Sequence, residues 1–374
     1  MARFGKKNHV SLSVLDTSVI MMGSPKIGKS SICKEIAEKL CGEGYLFLEM
    51  YRETGADLIE GIIYENVETW EKFKEIVEDI EDNKTTDYKD LKLVIIDTWD
   101  NGLCLAEQES IRLWNKANPD KKTDSIQAAW SGFMRGQDKA ADLMDDMVYR
   151  LRAVGITVWI IMHVKTSNIT DPVSGETFQQ LSSDVTQRYF SRLKRNTDLI
   201  AVAYADRKII KEKTGKKNPV THKDELKGVL KSESRKIKFR DSSYVIDAGG
   251  RLAHIVEEIP FSADAFIEAV TNALEEEVKS KGGNLEERKK EDEARLAKRQ
   301  QEIAEAESEH KKKKELDTII YKIKDFVAVC KEKKDGESVK GLIAKAKELG
   351  YEVPYDVSTV EDAKALLGYI ESLS

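Results

Sequence analysis

An α/β fold with a mostly parallel central sheet, extended by a charged helical linker and a small helical domain, is predicted by three observations. Short apolar runs of strand type recur in the first 274 residues: Ser18–Met22, Tyr45–Met50, Leu91–Asp97, Thr157–Met162 and Leu199–Tyr204. Helical stretches separate them, such as Ser31–Leu40 with Ile32, Ile36 and Leu40 on one face, and Val67–Ile80. Beyond residue 275 the composition turns to Glu, Lys, Arg, Ala and Gln. Near-continuous apolar strands alternating with helices belong to a sheet covered on both faces. The expected organisation is an α/β core over 1–274, a charged helical linker over 275–315 and a helical domain over 316–374.

Each element has its own signal. After Leu199–Tyr204, Lys236–Phe239 and Tyr244–Asp247 read as a closing hairpin. In the linker, apolar residues come only at wide intervals (Leu285, Leu296, Ile303), so no a/d heptad is sustained and a solvated helix is expected. The tail regains helical spacing in three stretches: Ile319, Ile320, Ile323, Phe326, Val327 and Cys330; then Val339, Leu342, Ile343 and Ala346; then Ala363, Leu366, Leu367 and Ile370. Ser358 or Thr359, followed by Glu361 and Asp362, resembles the start of the last helix.

The charged fraction is 34% and the net charge is −6, which argues against wholesale polyanion binding and leaves room for a local basic site. The four cysteines, Cys33, Cys41, Cys104 and Cys330, show neither C-x-x-C spacing nor histidine partners, and read as reduced cytosolic thiols. No apolar run reaches bilayer-spanning length and the first residues lack a signal-peptide core, so a cytoplasmic protein without a membrane partner is expected.

The octet Gly23-Ser-Pro-Lys-Ile-Gly-Lys-Ser30 satisfies G-x-x-x-x-G-K-[ST] between a strand and a helix. Gly23 and Gly28 let the chain curl so that the amides of Ser24, Pro25's neighbours Lys26 and Ile27, and then Lys29, Ser30 and Ser31 surround a phosphate. Lys29 is expected to reach the β- and γ-phosphates of ATP, and Ser30 to give its hydroxyl to Mg²⁺. Leu93-Val-Ile-Ile-Asp97 ends an apolar strand in an acid, making Asp97 the second metal-ordering residue, with Thr98 beside it. Hydrolysis also needs a carboxylate that orients water. Glu49 and Glu53 are the candidates, and Glu53 is preferred because Glu49 lies inside an apolar run. His163 closes the strand Thr157–Met162 where it would sense the γ-phosphate.

Together the loop octet, Val94-Ile-Ile-Asp-Thr98, Ile160-Ile-Met-His-Val-Lys165, Asp198-Leu-Ile200 and the Arg240–Arg251 hairpin resemble the phage AAA-type P-loop ATPases with a RecA-like core, a group of recombinases and single-strand annealing proteins. The resemblance covers about residues 10–270. It implies an ATPase that binds single-stranded DNA, forms homo-oligomers and works beside a single-strand binding protein in a phage-infected host. The stretch Glu49-Met-Tyr-Arg-Glu53 departs from the short acidic motif usual in such proteins.

DNA contact is expected from Lys165, Arg188, Tyr189, Phe190, Arg192, Lys194 and Arg195, which combine cations with aromatic surfaces. Asp206–Arg240 holds 13 Lys or Arg against 5 Asp or Glu, a net +8; Lys208, Lys211, Lys213, Lys216 and Lys217 would form a phosphate track or supply a finger to a neighbouring subunit. Two other readings remain. One is a nucleotide-gated, non-catalytic scaffold recruiting a partner through its helical tail, and the other a small-molecule kinase.

Overall fold

The computed structural model of the chain describes residues 9–170, 174–217, 224–242, 244–333 and 335–373, without the side chains of 209, 211–217 and 224–228. In order, the chain forms β1 (Val19–Gly23), α1 (Lys29–Cys41), β2 (Tyr45–Met50), β3 (Tyr64–Val67), α2 (Trp70–Asp82), β4 (Leu93–Asp97), α3 (Trp99–Ala117) and α4 (Arg135–Ala153). It continues through β5 (Thr157–Thr170), β6 (Thr177–Ser183), α5 (Gln187–Arg195), β7 (Leu199–Lys217), β8 (Asp224–Lys238), β9 (Gly249–Gly250), β10 (Glu258–Pro260) and α6 (Ala263–Ser280). The tail is α7 (Leu285–Glu332), α8 (Gly336–Glu348) and α9 (Val360–Ser372).

The sheet runs in the order β10-β8-β7-β1-β5-β4-β2-β3, with β7 through β3 parallel and β8 and β10 added antiparallel at one side. Period-two alternation splits each strand between two cores. Ile20, Met22, Leu48, Val94, Ile96 and Ile160 pack under α2, α3, α4 and α5. Met21, Phe47, Ile95, Trp159, Ile161 and Ala201 pack under α1 and α6. The second core closes on Phe266, whose ring lies 5.9 Å from Trp159 and 5.7 Å from Phe239. This is a mostly parallel α/β sheet covered by helices on both faces, with further helices appended at its C-terminal end.

Several elements differ from the sequence expectation. β3 was hidden in front of the second helix, which starts at Trp70 rather than Val67 because the Thr69 side chain accepts from Lys72 N at 3.1 Å and caps it. β5 and β7 run well past their apolar segments because antiparallel partners, β6 and β8, satisfy their backbone groups beyond the parallel core. Lys236–Phe239 and Tyr244–Asp247 do not pair with each other. β8 instead takes the edge of β7 along its length, while Val245 is buried and makes a single bridge to Leu181. Gly249–Gly250 then pairs with the start of β7.

Residues 275–280 continue α6, and α7 passes unbroken through residue 315. Asn284 caps α7 by accepting from Glu286 N and Glu287 N. Despite its composition, α7 is not a free solvated helix. Asp292 accepts from Leu12 N at 2.9 Å, Arg295 pairs with Asp16, Glu307 is buried and accepts from Thr85 N, and Lys314 pairs with Asp82. Its last turns join α8 and α9 around Ile319, Ile323, Leu342, Leu366 and Ile370, a third core. Among the described residues, no helix is long and apolar enough to cross a membrane.

Phe266→Ala is expected to cost about 3–5 kcal/mol, because a ring shared by two buried aromatic contacts leaves a cavity that β-strands cannot collapse into. Urea unfolding of the two proteins measures it, and a loss below about 1 kcal/mol would contradict this packing.

Candidate nucleotide site

β1 lies between β5 and β7, which sets Gly23 beside His163 on one side and Ala203 on the other. Gly23 has to be glycine because a Cβ there would stand 2.9 Å from Ala203 O. Beyond it the chain turns through positive φ at Lys26 (65°) and Gly28 (104°), and enters α1 at Lys29. The first-turn amides of α1 have no acceptor within the helix, so they and the positive end of its dipole are available to an anion. Ser24, Pro25, Lys26 and Ile27 form one wall of a cleft of ≈ 760 Å³, which Tyr204, Arg207, Arg235 and Tyr244 face from the other side.

Lys29 is buried, and its Nζ donates to Gly23 O at 3.1 Å and Ser24 O at 3.2 Å. Burial lowers its proton affinity, while the carboxylates of Asp97, Asp100 and Glu53 oppose that loss. Ser30 Oγ donates to Asp97 Oδ2 at 2.5 Å across the strand between them. Burial pushes the Asp97 carboxyl up to about 6; the Ser30 hydrogen bond and Lys29 pull it down, and Glu53 and Glu49 push it further up. A hydroxyl and a carboxylate side by side, with the buried Thr98 Oγ1 and Asp100 Oδ1 lacking partners nearby, are hard oxygen donors. They fit Mg²⁺, which binds through one or two protein oxygens plus phosphates and water rather than through a protein cage.

Of the two glutamates, Glu49 pairs in register with Asp97, is buried, and accepts from Ala56 N at 2.7 Å. Its carboxyl ties down the loop after β2, and burial raises its pKa. Glu53 is half-exposed at the head of that loop, accepts from Asn101 Nδ2 at 3.2 Å, and its charge acts on both Lys29 and Asp97. His163 is not the last residue of its strand, since β5 runs on to Thr170. It is nonetheless fixed at the loop: Asp100 Oδ2 accepts from both His163 N and His163 Nδ1, each at 3.0 Å. A charged carboxylate can only accept, so Nδ1–H donates to it, and among the described residues Nε2 has no hydrogen-bond partner.

Asp100, Asn101 and Arg235 were not singled out by the sequence. Asp100 sits in the first turn of α3, a place any acid favours at a helix N-terminus. Arg235 Nη1 donates to Ile27 O at 3.0 Å and its guanidinium lies 5.0 Å from the Phe261 ring, bracing the loop. Only the β7–β8 pairing brings it there.

The basic aromatic stretch is corrected at most of its positions. Residues 187–195 are helix α5, not a loop, and Tyr189 and Phe190 are buried, since they and Leu193 form its inward face. Arg188 pairs with Asp138, Arg192 with Asp142 and Asp145, and Lys194 lies 3.7 Å from Asp247. Carboxylates of α4 thus neutralise Arg188 and Arg192, and Asp247 lies beside Lys194. Lys165 and Arg195 remain exposed. Lys208 is exposed on β7, while the side chains of Lys211, Lys213, Lys216 and Lys217 lie outside the described residues.

Because the Asp97 carboxyl binds its proton more tightly when folded (about 6) than at its ordinary 3.8, the charged form subtracts stability that is fully lost above pH 6 and restored below pH 4. Asp97→Asn is therefore expected to raise unfolding free energy at pH 7 by on the order of 2 kcal/mol, the gain fading below pH 4, while Mg²⁺-dependent nucleotide binding falls. Denaturant titrations from pH 3.5 to 8 check it. A variant less stable than the parent at pH 7 would overturn the burial argument.

No curated protein matches the chain. Among solved structures it is similar to one described as "Crystal structure of the RadB recombinase", at 10% identity and a TM-score of 0.28, over 59% of this chain and 79% of that one. The profile of the family described as "AAA domain" matches residues 16–252, from just before β1 through β9. That span is more than half of the chain and holds the loop, Asp97, Asp100 and His163, so the chain belongs to this AAA domain family of P-loop proteins.

Proposed function

We propose that the chain binds MgATP at the Gly23–Ser30 loop, hydrolyses it, and couples that cycle to single-stranded DNA in phage recombination or replication. The Ser30–Asp97 hydrogen bond inside the loop is the observation that carries the nucleotide half. Bound Mg²⁺ would supply charge neutralisation at the phosphates. Lys29, swinging from the loop carbonyls, pairs with the β- and γ-phosphates, and the first-turn amides of α1 hold them. Glu53 orients the attacking water, with Asn101 steering its carboxylate. His163, held by Asp100, turns Nε2 to the γ-phosphate, to which it donates in the doubly protonated form. The cleft bounded by Tyr204 and Tyr244, whose rings meet edge-on at 5.7 Å, takes the nucleoside.

The DNA half is supported by the sheet edge that carries the loop. Beyond Val164 and Tyr204, the ribbons β5–β6 and β7–β8 extend past the parallel core, and the second lies within the segment of net charge +8. Phosphates would follow Lys165 and Lys208 along these ribbons, in place of the neutralised α5. Homo-oligomers and a single-strand binding protein as partner belong to the same proposal.

Lys29→Ala is expected to lower turnover at least about 100-fold, and Glu53→Gln a comparable amount with ATP affinity held within about threefold. Single-turnover phosphate release measures both. Nucleotide binding without any phosphate release would favour the non-catalytic scaffold. For DNA, Lys165→Ala with Lys208→Ala should weaken binding evenly across sequences and flatten the log–log salt dependence by about 1.4, two phosphates at ~0.7 each. Turnover indifferent to DNA, with no binding at low salt, would remove the DNA half.

A further inference from the structure

At the opposite edge of the sheet, where the strands begin, α7 crosses the core and leaves a cleft of ≈ 700 Å³. Arg295, Lys298, Arg299 and Glu302 face it from α7 at spacings of three, four and seven residues, one helical face. From the core come Arg152 at the end of α4, Arg251 after β9, and the carboxylates of Asp16 and Asp198. The acids are already taken. Asp16 pairs with Arg295 at 2.6 Å, Asp198 with Arg251 at 3.0 Å, and Glu302 with Lys298 at 3.4 Å. Asp198 also accepts from Ser18 N and Ser18 Oγ.

Two guanidiniums remain. Among the described residues neither Arg152 nor Arg299 forms an ion pair. Arg152 Nη1 has one long bond, 3.3 Å to Asn196 O, and Arg299 Nη2 another, 3.4 Å to Arg152 O. Each guanidinium has five N–H donors, so most are unused on the protein side. Burial makes Arg152 hold its proton less tightly than an ordinary arginine, the charges of Asp198 and Asp145 offsetting that desolvation only in part. Counted over the lining side chains, five Arg or Lys face three carboxylates, a formal excess of two positive units.

We propose that this cleft is a second anion site, in which Arg152 and Arg299 together bind a phosphoryl dianion that bridges the core to α7. A planar fork matches phosphate oxygens in pairs, so two guanidiniums that line one cleft from different elements bind a shared phosphate best when both elements are docked. Binding therefore favours the docked form of α7. The site lies across the sheet from the loop and does not rest on the ATPase proposal.

The test uses the full chain with its loop saturated by a nonhydrolysable ATP analogue and Mg²⁺, to which inorganic phosphate or ribose 5-phosphate is added. Hydrogen exchange over residues 295–303 is read in the parent, Arg299→Gln and Arg152→Gln. At ten times its Kd, the ligand should slow exchange there roughly tenfold in the parent, and neither variant should show the effect. Analogue affinity should be unchanged in all three. Response to phosphate alone identifies a free anion, and response to ribose 5-phosphate identifies a phosphate ester. No slowing by either ligand, or slowing that persists in Arg299→Gln, would overturn the site and leave Arg299 only as a cap on the α4 carbonyls. Arg299 is on the outer helix, so its variant keeps the test decisive even if Arg152→Gln does not fold.

Discussion

The ladder β1–β5–β4 holds Gly23 beside His163 and Asp97 beside Ile161. One strand separates the phosphate loop from the acid, and Ser30 bridges that gap to reach Asp97. Because side chains alternate with period two, a slip of one residue in either pairing would turn Asp97 and its neighbours to the other face and bury loop-side polar groups in an apolar layer. Both faces of these strands are packed, by α2 to α5 on one side and by α1 and α6 on the other, so the register has no slack. The site inherits its accuracy from that double burial rather than from its own contacts.

Much of this was legible in the chain. The octet marks a loop because few other uses require glycines and a Lys-Ser pair at that spacing, and Asp97 stood out by ending four aliphatic residues. Asp100 did not stand out. Its importance arises only when α3 starts directly after β4 and turns its first carboxylate toward a histidine 63 residues away. Arg235 was hidden for the same reason, since a strand pairing carries it to the loop.

The α5 segment shows how composition misleads. Arg188-Tyr-Phe-Ser-Arg-Leu-Lys-Arg195 looks like a nucleic-acid surface when its cations and rings are counted together. Read at a helical period, Tyr189, Phe190 and Leu193 fall on one side, and Arg188 and Arg192 oppose Asp138, Asp142 and Asp145, spaced four and seven along α4. The aromatic residues build the core and the cations fasten two helices. The ribbons carried the opposite error, since their polar alternation concealed strands that need antiparallel partners to exist.

The length of α7 has a consequence of direction. Forty-eight helical residues span about 72 Å, and contacts from Asp16 to Asp82 fasten its first part to the core. Beyond Lys314 the helix runs on, its Asp317, Thr318 and Tyr321 still lining a cleft with Glu78 and Arg150 of the core, and carries the bundle of α8 and α9 at its far end. Each residue of that stretch advances the bundle by about 1.5 Å and rotates it by about 100°. The number of residues between Lys314 and Ile319 is thus an angular setting: it determines which way the bundle faces relative to the α/β core, and an insertion there would re-aim the tail far more than it would lengthen it.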